Sequence, residues 1–213
     1  MAKNRTDLEA LLAAHNRRFR LEGGGQELVL KGEDLRGIDL SGADLAGVIL
    51  SEVRLDEANM ARADLYAVFA GGSSFVGADF NSAQIVKADF AAVIARKANF
   101  TDANLMRTGF FEADLRGARF DRTTLTKTSF HLADLRGCSF QGARFDRTSF
   151  HDAILGNLDA AGASGTILPG PASIETPDGL HSANEDEVLA YLRAAGADVS
   201  FWLPPKPPIR SDP

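Results

Sequence analysis

The sequence predicts an all-β solenoid with a capping helix at each end. Two observations carry this: a five-residue period that never slips over most of the chain, and helix signals confined to the two termini. Every fifth residue from Leu30 to Leu155 is large and apolar at 24 of 26 positions: twelve Leu, ten Phe, Met60 and Ile85, with Ala70 and Ala95 the exceptions. Two places before each, all 23 residues from Ala43 to Ala153 are small. A period of five fits neither a helix nor a continuous strand. It fits a very short extended segment, in which residues two apart point the same way, so the small and the large residue both face inward. The other three places carry polar or small residues and turn the chain through a corner, often at glycine: Gly37, Gly42, Gly47, Gly77, Gly117, Gly137, Gly142. Repeating such a unit winds a tube around its own apolar centre.

The blocks ADLAG, ANMAR, ADLYA, ADFNS, ANFTD, ADLRG and ARFDR resemble the pentapeptide-repeat proteins, whose consensus is A(D/N)LXX. The resemblance covers residues 28–158. It implies a right-handed quadrilateral β-helix with 20 residues per coil. Two duplications support 20: ADLRG at 113–117 and 133–137, and TSFH at 128–131 and 148–151. A third, GARFDRT at 117–123 and 142–148, is offset by 25. Twenty-six blocks make about six and a half coils, roughly 31 Å of tube.

The chain divides into a capping helix with a Gly-rich turn (1–27), the repeats (28–158), a linker with a C-terminal helix (159–203) and a disordered Pro-rich tail (204–213). At the N-terminus Thr6 with Glu9 reads as a capping box. Leu8, Leu11, Leu12, His15 and Phe19 form one helical stripe, which Gly23–Gly25 end. At the other end Ser182 with Glu185 reads as a second box, opening a helix over about 183–195 that Gly196 stops. Its Val188, Leu189 and Leu192 face packs on the last coil or on a second subunit, and the resemblance favours a homodimer. Two blocks, VFAGG at 68–72 and VIARK at 93–97, put Ala where the large residue belongs. A bulge that turns Phe69 and Ile94 inward is expected there, since exposing both costs free energy. Thr108, Thr123, Thr128 and Thr148 take small inward positions, where their hydroxyls can bond backbone groups. Cys138 reads as core filler.

Composition excludes several classes. With 213 residues, 45% apolar and 24% charged, the chain is ordinary soluble protein. No apolar run approaches the ~20 residues that span a bilayer, and no signal peptide is evident, so no membrane contact and a cytoplasmic location are expected. A net charge of −6 gives no global basic field for nucleic acid. One cysteine makes no internal disulfide. Phosphate-loop, dinucleotide, zincin and nucleophile-elbow motifs are absent. The aspartates Asp34, Asp39, Asp44, Asp64, Asp79, Asp89, Asp114 and Asp134 belong to the repeat and read as corner-forming residues. No catalytic residue and no cofactor is expected. His131 and His151 fall in one outward column with Asp152 beside them; no further ligand is evident, so the column reads as a solvated ladder and no metal is expected.

Charge placement is more telling. Residues 28–92 hold 5 basic and 10 acidic residues, residues 93–158 hold 10 and 7, and residues 159–213 hold 3 and 8. With 20 residues per coil, Lys87, Arg107, Lys127 and Arg147 share one column about 5 Å apart, a candidate binding site for something anionic. Phe69, Phe111 and Leu132 form a candidate apolar interface. These features point to a non-catalytic protein-binding scaffold. The resemblance implies two alternatives. Some members of the family imitate DNA, bind DNA gyrase, a type II topoisomerase, and confer antibiotic resistance to gyrase poisons; the basic column departs from a rod that mimics DNA. Others are secretion-associated or immunity-type partner proteins of bacteria.

Overall fold

The computed structural model describes residues 5–20 and 28–204. Helix α1 (Arg5–Arg20) leads into a right-handed quadrilateral β-helix of about seven turns. Strand β1 (Val29–Lys31) pairs in parallel with β2 (Ile49–Ser51), Val29 opposite Ile49. Isolated rungs from Asp34–Arg54 to Ser139–Asp159 keep the same spacing of 20, as does β3 (Thr124–Thr126) on β4 (Arg144–Thr148). The heptapeptide duplicated at an offset of 25 therefore lies on two different walls. The block, not the coil, is the unit this sequence repeats.

One block shows how the backbone is satisfied. In Ala63–Ala67, the Asp64 N–H donates down to Ala43 O (2.9 Å), while Leu65 and Ala67 donate up to Gln84 O (2.8 Å) and Val86 O (2.9 Å). Ala63 closes the preceding corner by donating to Met60 O (3.1 Å). The fifth donor, Tyr66 N–H, meets the Asp64 carboxylate (3.0 Å) in an Asx-type turn. All eight aspartates named from the sequence make this bond to the residue two places on. Where serine replaces the aspartate, at Ser74 and Ser139, a carboxylate from the coil below substitutes. Asp56 accepts from Val76 N–H (2.9 Å) and Asp121 from Gln141 N–H (3.1 Å). Every corner residue from Gly32 to Gly162, taken five apart, has φ between 49° and 71°, and seventeen of them are not glycine. A turn whose third residue needs positive φ suits glycine or asparagine; here the rungs on either side hold other residues in it.

The large inward residues form four columns, one on each wall, the first to fourth walls being those that begin with Leu30, Leu35, Leu40 and Leu45. The third wall stacks Phe80, Phe100, Phe120 and Phe140 at 4.7, 5.0 and 5.0 Å, within 10° of parallel. The first wall stacks Phe90, Phe110, Phe130 and Phe150 at 5.4–5.5 Å. The two stacks meet edge to face across the interior, as at Phe100–Phe110 (5.8 Å, 78°), the geometry aromatic quadrupoles favour. Leu and Ile predominate on the other two walls, with Phe75, Ala95 and Phe145 among them. Inward hydroxyls are satisfied: Thr108 and Thr128 donate to Ile85 O and Leu105 O, Thr123 to Phe120 O, and Thr148 to Leu125 O. The buried Cys138 thiol donates to Leu115 O, and burial pushes its pKa up, as core filler requires.

The expected bulge does not form. Ala70 and Ala95 stay inward and fully buried, while Phe69 and Ile94 stand 44% and 41% exposed. The rungs Ile49–Phe69–Asp89 and Ser74–Ile94–Asp114 keep register through both blocks. Phe75 stacks on Phe90 (5.4 Å, 28°), the inward residue one coil above Ala70.

The ends close differently. Helix α1 covers the first coil with Leu8 and Leu12, and the buried His15 is bonded at both ring nitrogens: Nε2 donates to Ala46 O (2.9 Å) and Nδ1 accepts from Leu28 N–H (3.1 Å). Leu11 is exposed. Thr6 stands inside the helix rather than at its N-cap; Gly23–Gly25 and the Phe19 side chain lie outside the described residues, as does the tail beyond 204. Past residue 158 the walls continue. Strand β5 (Ile154–Leu155) pairs with β7 (Ala172–Thr176), which turns back as β8 (Gly179–Ala183); β6 (Ser164–Ile167) continues the β4 ladder and pairs in turn with β9 (Asp198–Phe201). Helix α2 (Glu185–Ala194) sits between β8 and β9, with Val188 and Leu192 buried against the chain's own last coil and Leu189 half-buried. Its capping box is Asn184 with Glu187, not Ser182 with Glu185, because Ser182 is held in β8 opposite Ser173.

Candidate interaction wall

The first wall brings together two sets of residues singled out in the sequence. Its outward positions alternate with the inward phenylalanines, so three successive coils present the rows Arg107–Gly109–Phe111, Lys127–Ser129–His131 and Arg147–Ser149–His151. Gly109, Ser129 and Ser149 pair directly or through one rung with their neighbours and form a floor of small residues. A basic rail runs along one corner and an aromatic and imidazole rail along the other, at most about 13 Å apart. Phe111 (43% exposed) tilts against His131 (5.4 Å between centroids), and Leu132 (42%) stands on the same corner. Phe69 lies on this wall two coils earlier, its ring over Gly71. It is set apart from Phe111 and Leu132 by the small Ala91 and Ala92.

Lys87, Arg107, Lys127 and Arg147 do form one column; the first three backbone N–H groups donate to carbonyls of the next coil, that of Arg147 to Thr166 Oγ1, and all four have positive φ. The column is not uniformly bare. Lys87 Nζ donates to Tyr66 Oη (2.8 Å) and lies 5.1 Å from that ring's centre. Arg147 pairs with Asp146 (2.9 Å) and lies over the Trp202 indole at 5.7 Å. Hydrogen bonding to Arg147 holds the Asp146 carboxyl below the usual carboxylate range. Lys127 adds a weaker attraction to the same carboxylate. Arg107 and Lys127 keep the rail's central positive charge exposed.

A second charged ladder escaped the sequence reading. On the corner between the second and third walls, Arg96, Asp114, Arg116, Asp134, Arg136 and Glu175 alternate in sign, with contacts of 3.6, 2.7, 3.7, 2.7 and 2.8 Å. The ADLRG duplication held the signal, since it places each Arg two residues after an Asp and 20 from the next Arg. This ladder is internally neutralised; the basic rail is not. No described helix is long and apolar enough to cross a membrane.

Fold and surface together define a repeat scaffold, a rigid four-sided rod that displays regular side-chain columns. Residues 34–69 match the family described as pentapeptide repeats (8 copies), and residues 73–150 match the pentapeptide repeat region. Together they cover more than half of the chain, which belongs to the pentapeptide-repeat family. No curated protein matches the sequence. Among solved structures the chain is similar to full-length QnrB1, a plasmid-mediated fluoroquinolone resistance protein (17% identity, 62% of this chain and 76% of that one, TM-score 0.43). It is similar to the pentapeptide repeat protein Rfr23 from the cyanobacterium Cyanothece 51142 (21% identity, 60% and 93%, TM-score 0.43). It is also similar to a pentapeptide repeat protein of the Arabidopsis thaliana thylakoid lumen (27% identity, 56% and 69%, TM-score 0.34).

Proposed function

We propose that this chain is a non-catalytic protein-binding scaffold whose first wall receives an acidic, partly apolar protein surface. The carrying observation is the three-row array in which each coil sets a cation, a small residue and a ring in line. A carboxylate-bearing segment lying along the wall gains ion pairs at Arg107 and Lys127 while its apolar side covers Phe111 and Leu132. Peripheral charge pairs of this kind raise association rate and set specificity, and the ring side supplies the buried apolar area. Such a surface needs no loop to be ordered on binding, because every position stands on the ladder.

The test replaces Lys87, Arg107, Lys127 and Arg147 together by Gln. Partners captured from the native host by the wild-type chain should bind the variant more weakly and with a shallower salt dependence, while the melting temperature changes little, relief of like-charge repulsion offsetting loss of the exposed Arg147–Asp146 pair. Undiminished binding removes the wall from consideration. Gyrase supercoiling with and without a fluoroquinolone separates the DNA-mimic alternative. Under the scaffold reading neither chain protects gyrase; under the alternative both do, and the variant, being more DNA-like, protects better.

A further inference from the structure

At the C-terminal end of the aromatic rail, His131, His151 and Asp152 converge. Each offers one ligand atom within 4.8 Å of the others, and among the described residues no second group of histidine, cysteine and carboxylate side chains does so. His151 Nε2 lies 3.2 Å from Asp152 Oδ2. That is close to the ~3.3 Å separating two ligands on a tetrahedral zinc at ~2.0–2.1 Å. His131 Nδ1 lies 4.0 Å from the same carboxylate oxygen. Because side chains at a corner are half exposed, closing the remaining ångström moves no backbone.

The surroundings hold the rings in place. His131 Nδ1 lies 3.0 Å from His151 O. A carbonyl only accepts, so Nδ1 donates to it, and an ion bound at Nδ1 would replace that hydrogen bond. The His131 ring is flanked by Phe111 (5.4 Å) and by His151 (5.3 Å). His151 Nδ1 faces Gly170, where an added Cβ would come within 2.6 Å of it, so the ring's place depends on the missing side chain. Ser129 and Ser149 accept the backbone N–H of the two histidines, so the duplicated TSFH holds the two backbones alike one coil apart, with the rings tilted 42° to each other.

We infer that His131, His151 and Asp152 form a surface site for a divalent transition-metal ion, with zinc the best match. Two imidazoles and one carboxylate suit zinc rather than calcium or magnesium, which prefer all-oxygen shells. Three protein ligands leave a fourth position for water or for a group from a partner. This is independent of whether the first wall binds protein.

The experiment uses the full-length chain without an affinity tag, titrated with zinc chloride by calorimetry and with cobalt chloride by absorbance. Expected are one ion per chain and visible cobalt bands of tetrahedral intensity. His131→Ala and His151→Ala should each weaken zinc binding at least tenfold, Asp152→Asn should weaken it less, and excess magnesium should not compete. His181→Ala, at an exposed histidine in β8, serves as the control and should change nothing. Far-UV circular dichroism shows that the variants are folded, as expected for exposed corners. No zinc uptake, or uptake that survives the double histidine substitution, overturns the site.

Discussion

Phe100 lies 4.7 Å from Phe80, 5.0 Å from Phe120 and edge-on to Phe110. Phe100→Ala should cost about 3–5 kcal/mol. Phe100→Asp should cost more, since it buries a charge without a partner. Thermal melts followed by far-UV circular dichroism measure both, and an unchanged melt would place residue 100 outside the core. Thr101, beside it, makes the opposite case: its hydroxyl is buried and has no hydrogen-bond partner. Thr101→Val keeps the shape and removes the unsatisfied group, so the melting temperature should rise; a fall would mean that the hydroxyl is bonded in solution. The inward columns were legible because burial alternates within each block. Phe69 and Ile94 were not, and the reason is energetic. Turning either inward shifts a block by one residue and breaks rungs on both sides, each hydrogen bond worth about 0.5–1.5 kcal/mol. Leaving one such side chain less than half exposed forfeits only part of the ~1.5–3 kcal/mol of full burial.

The end elements were legible in kind and misplaced in detail. The stretch Ser182–Glu187 contains two overlapping box patterns, and local sequence does not choose between them. The choice falls to β8, whose pairing with β7 uses Ser182 and frees Asn184 to accept from Asp186 and Glu187 N–H at 3.0 and 3.1 Å. Asn184→Ala should therefore destabilise the C-terminal cap by about 1 kcal/mol, while Ser182→Ala should have little effect. Local hydrogen exchange in α2 tells them apart, and equal protection in both variants would refute the assignment. Strand β9 gave no sequence signal. Its four residues complete the fourth wall by pairing with β6 across 34 residues of chain, a contact that no local pattern encodes. Of the interaction wall, the basic column was legible once the 20-residue coil implied by the resemblance was laid over the five-residue period. Its aromatic ends were not: Tyr66 and Trp202 meet Lys87 and Arg147 only because the coils stack.

At the scale of the whole molecule, four arginine-paired aspartates share one electrostatic signature. The Arg36 hydrogen bond holds Asp34 at a pKa of about 2, and Asp102, Asp114 and Asp146 are lowered by Arg122, Arg116 and Arg147 in the same way. A carboxyl whose folded pKa is depressed contributes stability that is present above its unfolded value near 4 and lost as pH falls through the folded value. The melting temperature should thus be level from neutral pH to about 4 and decline toward pH 2. Salt should blunt the decline, because these pairs are exposed. A melt that declined already between pH 7 and 5 would point to other groups. The constant register of the rungs has a mechanical consequence. Each coil touches chiefly the coils above and below it, so tension applied to the two termini loads one set of rungs at a time. A coil that lets go releases 20 residues, about 60–70 Å of extended chain. Stretched in an optical trap, the rod should lengthen in a staircase of near-equal treads of that size. A single jump of the full contour length would show instead that the phenylalanine stacks bind all the coils into one mechanical unit.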